Sequence, residues 1–156
     1  MLLRLIAAGT RLPEWVDTGY REYAERLRGD YRLELTEIPL GARTGVDPAK
    51  AVATEGERML KALAPGNPYV VALQVGGKHL STEQLAAFLA KRGETGQPIA
   101  FLVGGPDGLA PEADARADLR WSLSALTLPH GLVRVVVAEA LYRAVSVLKN
   151  HPYHRG

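Results

Sequence analysis

The 156-residue chain is expected to fold as an α/β domain, a mostly parallel sheet flanked by helices, with a single domain over 1–156. Three observations predict this. Apolar runs at 2–8, 69–73 and 98–103 have the length and continuity of buried strands. Segments of helical period lie between them, and strands alternating with helices build parallel sheets through crossovers. No internal repeat and no linker of biased composition divides the chain.

Residues 2–8 read as the first strand. Pro13, which needs no N–H in a first turn, opens a helix in which Trp15, Val16, Tyr20, Tyr23, Ala24 and Leu27 recur at helical spacing up to Gly29. Residues 31–38 alternate with period two, a strand with one wet face. A loop follows over 39–46, with Gly41 and Gly45. Asp47-Pro48 is an N-cap with proline at the first helical position, and its helix runs to about Ala64. Pro65-Gly66-Asn67-Pro68 is turn chemistry. Residues 69–73 form a central strand that Gly76-Gly77 is expected to end. Ser81 with Gln84 matches a capping box for a helix to about Arg92. Residues 98–103 are a further buried strand, closed by Gly104-Gly105-Pro106-Asp107-Gly108. A short acidic helix over 111–117 and an apolar stretch with interspersed hydroxyls over 121–128 come next. A long helix over 132–148 carries two apolar rows, Val133/Val137/Leu141/Val145 and Val136/Ala140/Ala144/Val147. Two rows exceed what one sheet covers, so this helix is expected to bury itself further, in a dimer. Residues 150–156 read as a tail.

Composition narrows the function. Hydrophobic residues make up 47% and charged residues 23%, the balance of a folded globular domain and not of a disordered chain. Cysteine is absent, which excludes disulfides, thiolate metal sites and a cysteine nucleophile and fits a reducing cytoplasm, the expected location. No apolar run approaches the roughly 18 residues of a membrane span, and Arg4 interrupts the N-terminal one, so a strand is expected there and no signal peptide. Net charge is only +2, yet 120–156 hold Arg120, Arg134, Arg143, Lys149 and Arg155 against Glu139 alone. A cationic surface of this kind meets phosphate; a solvated helix face with a basic tail produces the same composition.

Some residues carry chemistry. The glycine turn at 104–108 follows a buried strand, where α/β sheets bind ligands. It is not GxGxxG, and Gly76-Gly77-Lys78 lacks P-loop spacing, so dinucleotide folds and NTPases are disfavoured. Ser122 and Ser124 sit outside any GxSxG frame and are expected to satisfy backbone groups in a loop. His151 and His154 stand three apart, but Pro152 prevents a regular helix and no carboxylate cluster accompanies them, so no metal is expected. The same tail offers Tyr153 for stacking on a base and Arg155 for phosphate. His130 stands at the start of the long helix, where a substrate contact or a cap is possible. Glu139 and Arg143, spaced i, i+4, read as a supportive pair or as a buried, oriented one.

Leu-Val-Gly-Gly-Pro-Asp-Gly-Leu at 102–109, Trp-Ser-Leu-Ser-Ala-Leu-Thr-Leu-Pro-His at 121–130, Val-Arg-Val-Val-Val-Ala-Glu-Ala-Leu-Tyr-Arg-Ala at 133–144 and Asn-His-Pro-Tyr-His-Arg at 150–155 resemble the bacterial ribosomal RNA large subunit methyltransferase H family. These are small enzymes of the SPOUT superfamily, and the similarity covers the whole chain. The resemblance implies a C-terminal trefoil knot, which residue patterns alone argue against, since chain threading is rare. It implies S-adenosylmethionine as methyl donor, N3 of a pseudouridine in 23S rRNA as acceptor, a homodimer, and no membrane or metal partner. It implies a donor site of Leu73, Gly104, Gly105, Pro106, Leu123, Ser124, Ala125, Leu126, Thr127 and Leu128. On the RNA side it implies His130, Arg143, Tyr153, His154 and Arg155, with one subunit's tail completing its partner's pocket. Modest net charge predicts that the assembled ribosome, more than naked rRNA, is the substrate. Two other readings stand beside this one: a non-catalytic ribosome- or RNA-binding module of the same fold, and a phosphoester hydrolase with a metal at His151 and His154.

Overall fold

A computed structural model describes residues 1–45 and 47–155; Val46, at the end of the loop expected over 39–46, and Gly156, the last residue of the tail, lie outside the described residues. The elements are β1 (Leu2–Ala8), α1 (Glu14–Ala24), β2 (Arg32–Ile38), α2 (Pro48–Leu63), β3 (Tyr69–His79), α3 (Thr82–Thr95), β4 (Ile99–Val103), α4 (Pro111–Ala115), β5 (Leu119–Ser122) and α5 (His130–Leu148), followed by a 3₁₀ turn, Pro152–Arg155. The strands form one sheet in the order β2-β1-β4-β3-β5, every described pair parallel.

Side chains alternate across the sheet, and each face builds its own core. Leu3, Leu5, Ile99, Phe101 and Val103 point to the layer of α1, α3 and α5, where they meet Tyr20, Leu89, Val137 and Leu141. Ile6, Ala8, Ala100 and Leu102 point to the layer of α2 and α4, where they meet Met59, Leu63 and Ala113. β4 is buried at all five positions, as a continuous apolar run between two helical layers requires.

Local chemistry sets the helix ends. The Asp47 carboxylate accepts the Ala49 N–H at 2.9 Å, capping α2. The capping box of α3 is complete: Ser81 Oγ accepts the Gln84 N–H at 3.0 Å, and Gln84 Oε1 accepts the Ser81 N–H at 2.8 Å.

Several expectations need correction. β3 does not stop at Gly76-Gly77 but runs to His79, with a break in its register against β5 between Leu73 and Lys78. The glycine serves close approach here, because a Cβ on Gly77 would lie 2.7 Å from the Arg120 carbonyl carbon. A fifth strand, β5, overlaps the start of the stretch read as a hydroxyl-bearing loop. α1 ends at Ala24, short of Gly29. The C-terminal positive charge is largely paired within the chain: Arg120 with Asp114, Arg134 with Glu37 and Arg143 with Glu139. Charge on 120–156 therefore says less about phosphate than composition suggested.

Candidate functional site

The middle of β3 and the carboxyl ends of β4 and β5 deliver three segments around one cavity of about 460 Å³, within the size range of small-molecule sites. The first is Leu73, Gln74 and Val75 of β3. The second is Val103 and the turn after β4, with Gly104, Gly105, Pro106, Gly108 and Leu109. The third runs from Trp121 and Leu123 through Ser124, Leu126, Thr127, Leu128 and Pro129 to His130 and Val133 of α5.

The turn requires its glycines. Gly108 has φ +84°, in the left-handed region, and its N–H bonds to the Gly105 carbonyl at 3.0 Å. A Cβ on Gly104 would collide with the Gly108 carbonyl carbon and stand 2.6 Å from the Leu109 nitrogen. The turn thus folds back on itself and offers backbone to the cavity. In the third segment the hydroxyls hold the loop, as expected: Ser122 Oγ donates to the Ser124 carbonyl at 3.0 Å, and Ser124 Oγ accepts the Leu126 N–H at 3.0 Å.

Nine of the ten residues expected at a donor site line this cavity: Leu73, Gly104, Gly105, Pro106, Leu123, Ser124, Leu126, Thr127 and Leu128. Ala125 is not among the lining residues. Sequence reading missed Gln74 and Val75, which reach the cavity because β3 continues past Leu73, and Val133, which sits one turn into α5. Among the described residues the lining has no lysine, arginine, aspartate or glutamate. Its titratable group is His130, whose pKa is held below its ordinary value of 6.5 by burial first and by the Arg134 guanidinium second. His130 is therefore mostly neutral at pH 7 and able to accept a proton.

The other expected RNA-side residues lie elsewhere. Arg143 is thirteen residues beyond His130 on α5, about 20 Å along the helix axis. There it bonds Glu139 at 2.8 Å, and Tyr153 from the 3₁₀ turn donates its hydroxyl to the same carboxylate at 2.9 Å. The Arg143 guanidinium packs over the Tyr153 ring at 4.9 Å. Burial, and then the bond to Glu139, push the Tyr153 hydroxyl up to about 12. His154 is half-buried and Arg155 is exposed on the same turn. His151 Nδ1 accepts the Tyr153 N–H at 3.2 Å, a turn-forming role. Among the described residues no group of three or more histidines and carboxylates could hold a metal ion, and no helix is long and apolar enough to cross a membrane.

A wholly parallel sheet with a glycine-turn cavity at its carboxyl edge defines an α/β ligand-binding domain of the kind that holds a small organic cofactor. A family model described as a predicted SPOUT methyltransferase matches residues 1–154. Proteins named Ribosomal RNA large subunit methyltransferase H are similar over essentially the full chain: 58% identity in Alkalilimnicola ehrlichii, covering 99% of both chains, and 54% in Pseudomonas fluorescens, covering 99% of this chain and all of that one. The chain belongs to the SPOUT methyltransferases, in the ribosomal RNA large subunit methyltransferase H family. In fold it also resembles a solved probable methylase family protein from Haemophilus influenzae, with a TM-score of 0.60 at 14% identity over 97% of this chain and 69% of that one. A solved probable methyltransferase from Bordetella pertussis superposes with a TM-score of 0.57 at 16% identity, over 92% of this chain and 95% of that one.

Proposed function

We propose that this protein transfers a methyl group from S-adenosylmethionine to N3 of a pseudouridine in 23S rRNA, on the assembled ribosome and as a cytoplasmic homodimer. The observation that carries the reading is the cavity itself, where the Gly104–Gly105 turn and the 123–130 loop of this methyltransferase meet. Its chemistry fits the donor. Leu73, Leu123, Leu128 and Val133 give apolar walls for an adenine ring, the glycine turn gives backbone groups for the ring edge, and no lysine or arginine in the lining repels a sulfonium.

Bound there, S-adenosylmethionine supplies a methyl already activated by its sulfonium. The protein's part is then alignment, proton removal and charge stabilisation. N3 of a uracil ring lies between two carbonyls and carries a proton. His130, neutral and at the cavity wall, is placed to accept that proton directly or through a water. A guanidinium near the carbonyls stabilises the developing negative charge; Arg143 and Arg155 are the candidates. Their distance from the cavity in one chain supports a site completed by the partner's tail, with Tyr153 and His154 beside them. Val136, Ala140 and Val147, the half-buried members of the second row of α5, support pairing of two copies along that helix. The trefoil knot belongs to the same proposal. A target nucleotide in a loop leaves its stack more cheaply than a paired one.

Calorimetric titration tests the donor site. Wild-type protein is expected to bind S-adenosylmethionine saturably. Thr127→Trp fills the cavity from an exposed position and is expected to weaken binding at least roughly tenfold with little change in thermal stability. No saturable wild-type binding would favour the non-catalytic RNA-binding module.

A further inference from the structure

Behind the glycine turn lies an ion network, anchored on one buried carboxylate, whose residues do not line the cavity. Glu55 of α2 is 2% exposed. Its Oε2 accepts the Gly41 N–H at 2.9 Å and Arg43 Nη1 at 2.8 Å. The same Arg43 nitrogen donates to the Gly41 carbonyl at 3.0 Å, and Arg43 Nε donates to Asp107 Oδ2 at 2.9 Å. One guanidinium thus joins three segments: the loop at 39–45, helix α2, and the turn at 104–108 whose other side lines the cavity.

The contact is close. A Cβ on Gly105 would stand 3.0 Å from the Leu40 side chain and 3.4 Å from Glu55 Oε1. The loop is pressed onto α2, because a Cβ on Gly41 would collide with the Ala51 carbonyl oxygen. Yet the network is only half satisfied: Glu55 Oε1 and Arg43 Nη2 are both buried without a hydrogen-bond partner among the described residues. Unsatisfied buried charges oppose folding, and a packed core would be as stable with an apolar pair. Stability alone therefore does not explain this arrangement. His130, across the turn, also feels both charges, Glu55 raising its pKa and Arg43 lowering it.

Resting on the donor-site reading above, we propose that Arg43 and Glu55 are positioning residues for the glycine turn. They clasp the 39–45 loop to Asp107, so that the turn meets S-adenosylmethionine in its binding shape and occupation of the cavity steadies the loop behind it. Neither residue touches the donor; both act through the backbone of 104–108.

The test uses the full chain and steady-state methyl transfer to ribosomes. Arg43→Met is expected to raise KM for S-adenosylmethionine roughly tenfold while kcat at saturating donor stays within about twofold. Arg43→Lys, which can pair with Glu55 but cannot fork to both carboxylates, is expected to recover part of the loss. Asp107→Asn cuts the same bridge from its exposed end and repeats the measurement should Arg43→Met fold poorly. Hydrogen exchange supplies the second readout: S-adenosylmethionine should slow exchange of the Gly41 amide in wild type, though that amide does not line the cavity, and not in Asp107→Asn. A merely structural network would lower kcat with the folded fraction and leave KM unchanged; that result, or a Gly41 amide indifferent to the donor, overturns the proposal. Wild-type protein that binds no S-adenosylmethionine would overturn the donor-site reading itself.

Discussion

Gly104→Ala should weaken donor binding by at least about a hundredfold, which corresponds to about 2.7 kcal/mol. The added methyl meets backbone, not a flexible side chain: the Gly108 carbonyl carbon, the Leu109 nitrogen at 2.6 Å and the Gly108 oxygen at 2.7 Å. Backbone that is itself held by the Gly108–Gly105 hydrogen bond cannot yield without opening the turn. The loss should therefore fall on binding first. Calorimetry with S-adenosylmethionine beside a thermal melt checks this, and a variant that binds as wild type does would show that the turn does not shape the site.

Phe101→Ala should cost about 3–5 kcal/mol of stability. Phe101 is fully buried in the middle of β4, packed edge-on against Trp121 of β5 at 6.0 Å between ring centres. Its removal empties the space where β4, β5 and the α5 layer meet. For a chain of this length the melting temperature should fall by roughly 6–20 °C. Urea unfolding with an unchanged m-value and a lower midpoint checks the assignment. Because Trp121 also lines the cavity, donor affinity should fall with stability.

The sheet core was legible in the sequence because three strands carry apolar runs, broken only by Arg4 in β1, and two-sided burial favours that pattern. β5 escaped notice for the same reason: Leu-Arg-Trp-Ser is four residues long, half polar, and paired on the edge of the sheet. The run of β3 past Gly76-Gly77 was hidden because glycine reads as a terminator, whereas here the neighbouring backbone at Arg120 demands it. That misreading concealed Gln74 and Val75 from the site. The glycine turn and the 123–128 loop were visible because backbone chemistry at strand ends leaves a local signature. The Arg43–Glu55–Asp107 clasp was not, since it joins positions 12 and 64 residues apart and each charge alone reads as surface. The C-terminal cations were ambiguous in composition, which counts charges but does not show that the fold pairs Arg120, Arg134 and Arg143 with carboxylates.

The measurement that tests the account most directly is methyl transfer from labelled S-adenosylmethionine to ribosomes prepared from cells lacking this protein, with naked 23S rRNA alongside. The account predicts about one methyl per large subunit, on N3 of a pseudouridine, far faster on ribosomes than on naked rRNA. Saturable donor binding with no transfer to either substrate would contradict it.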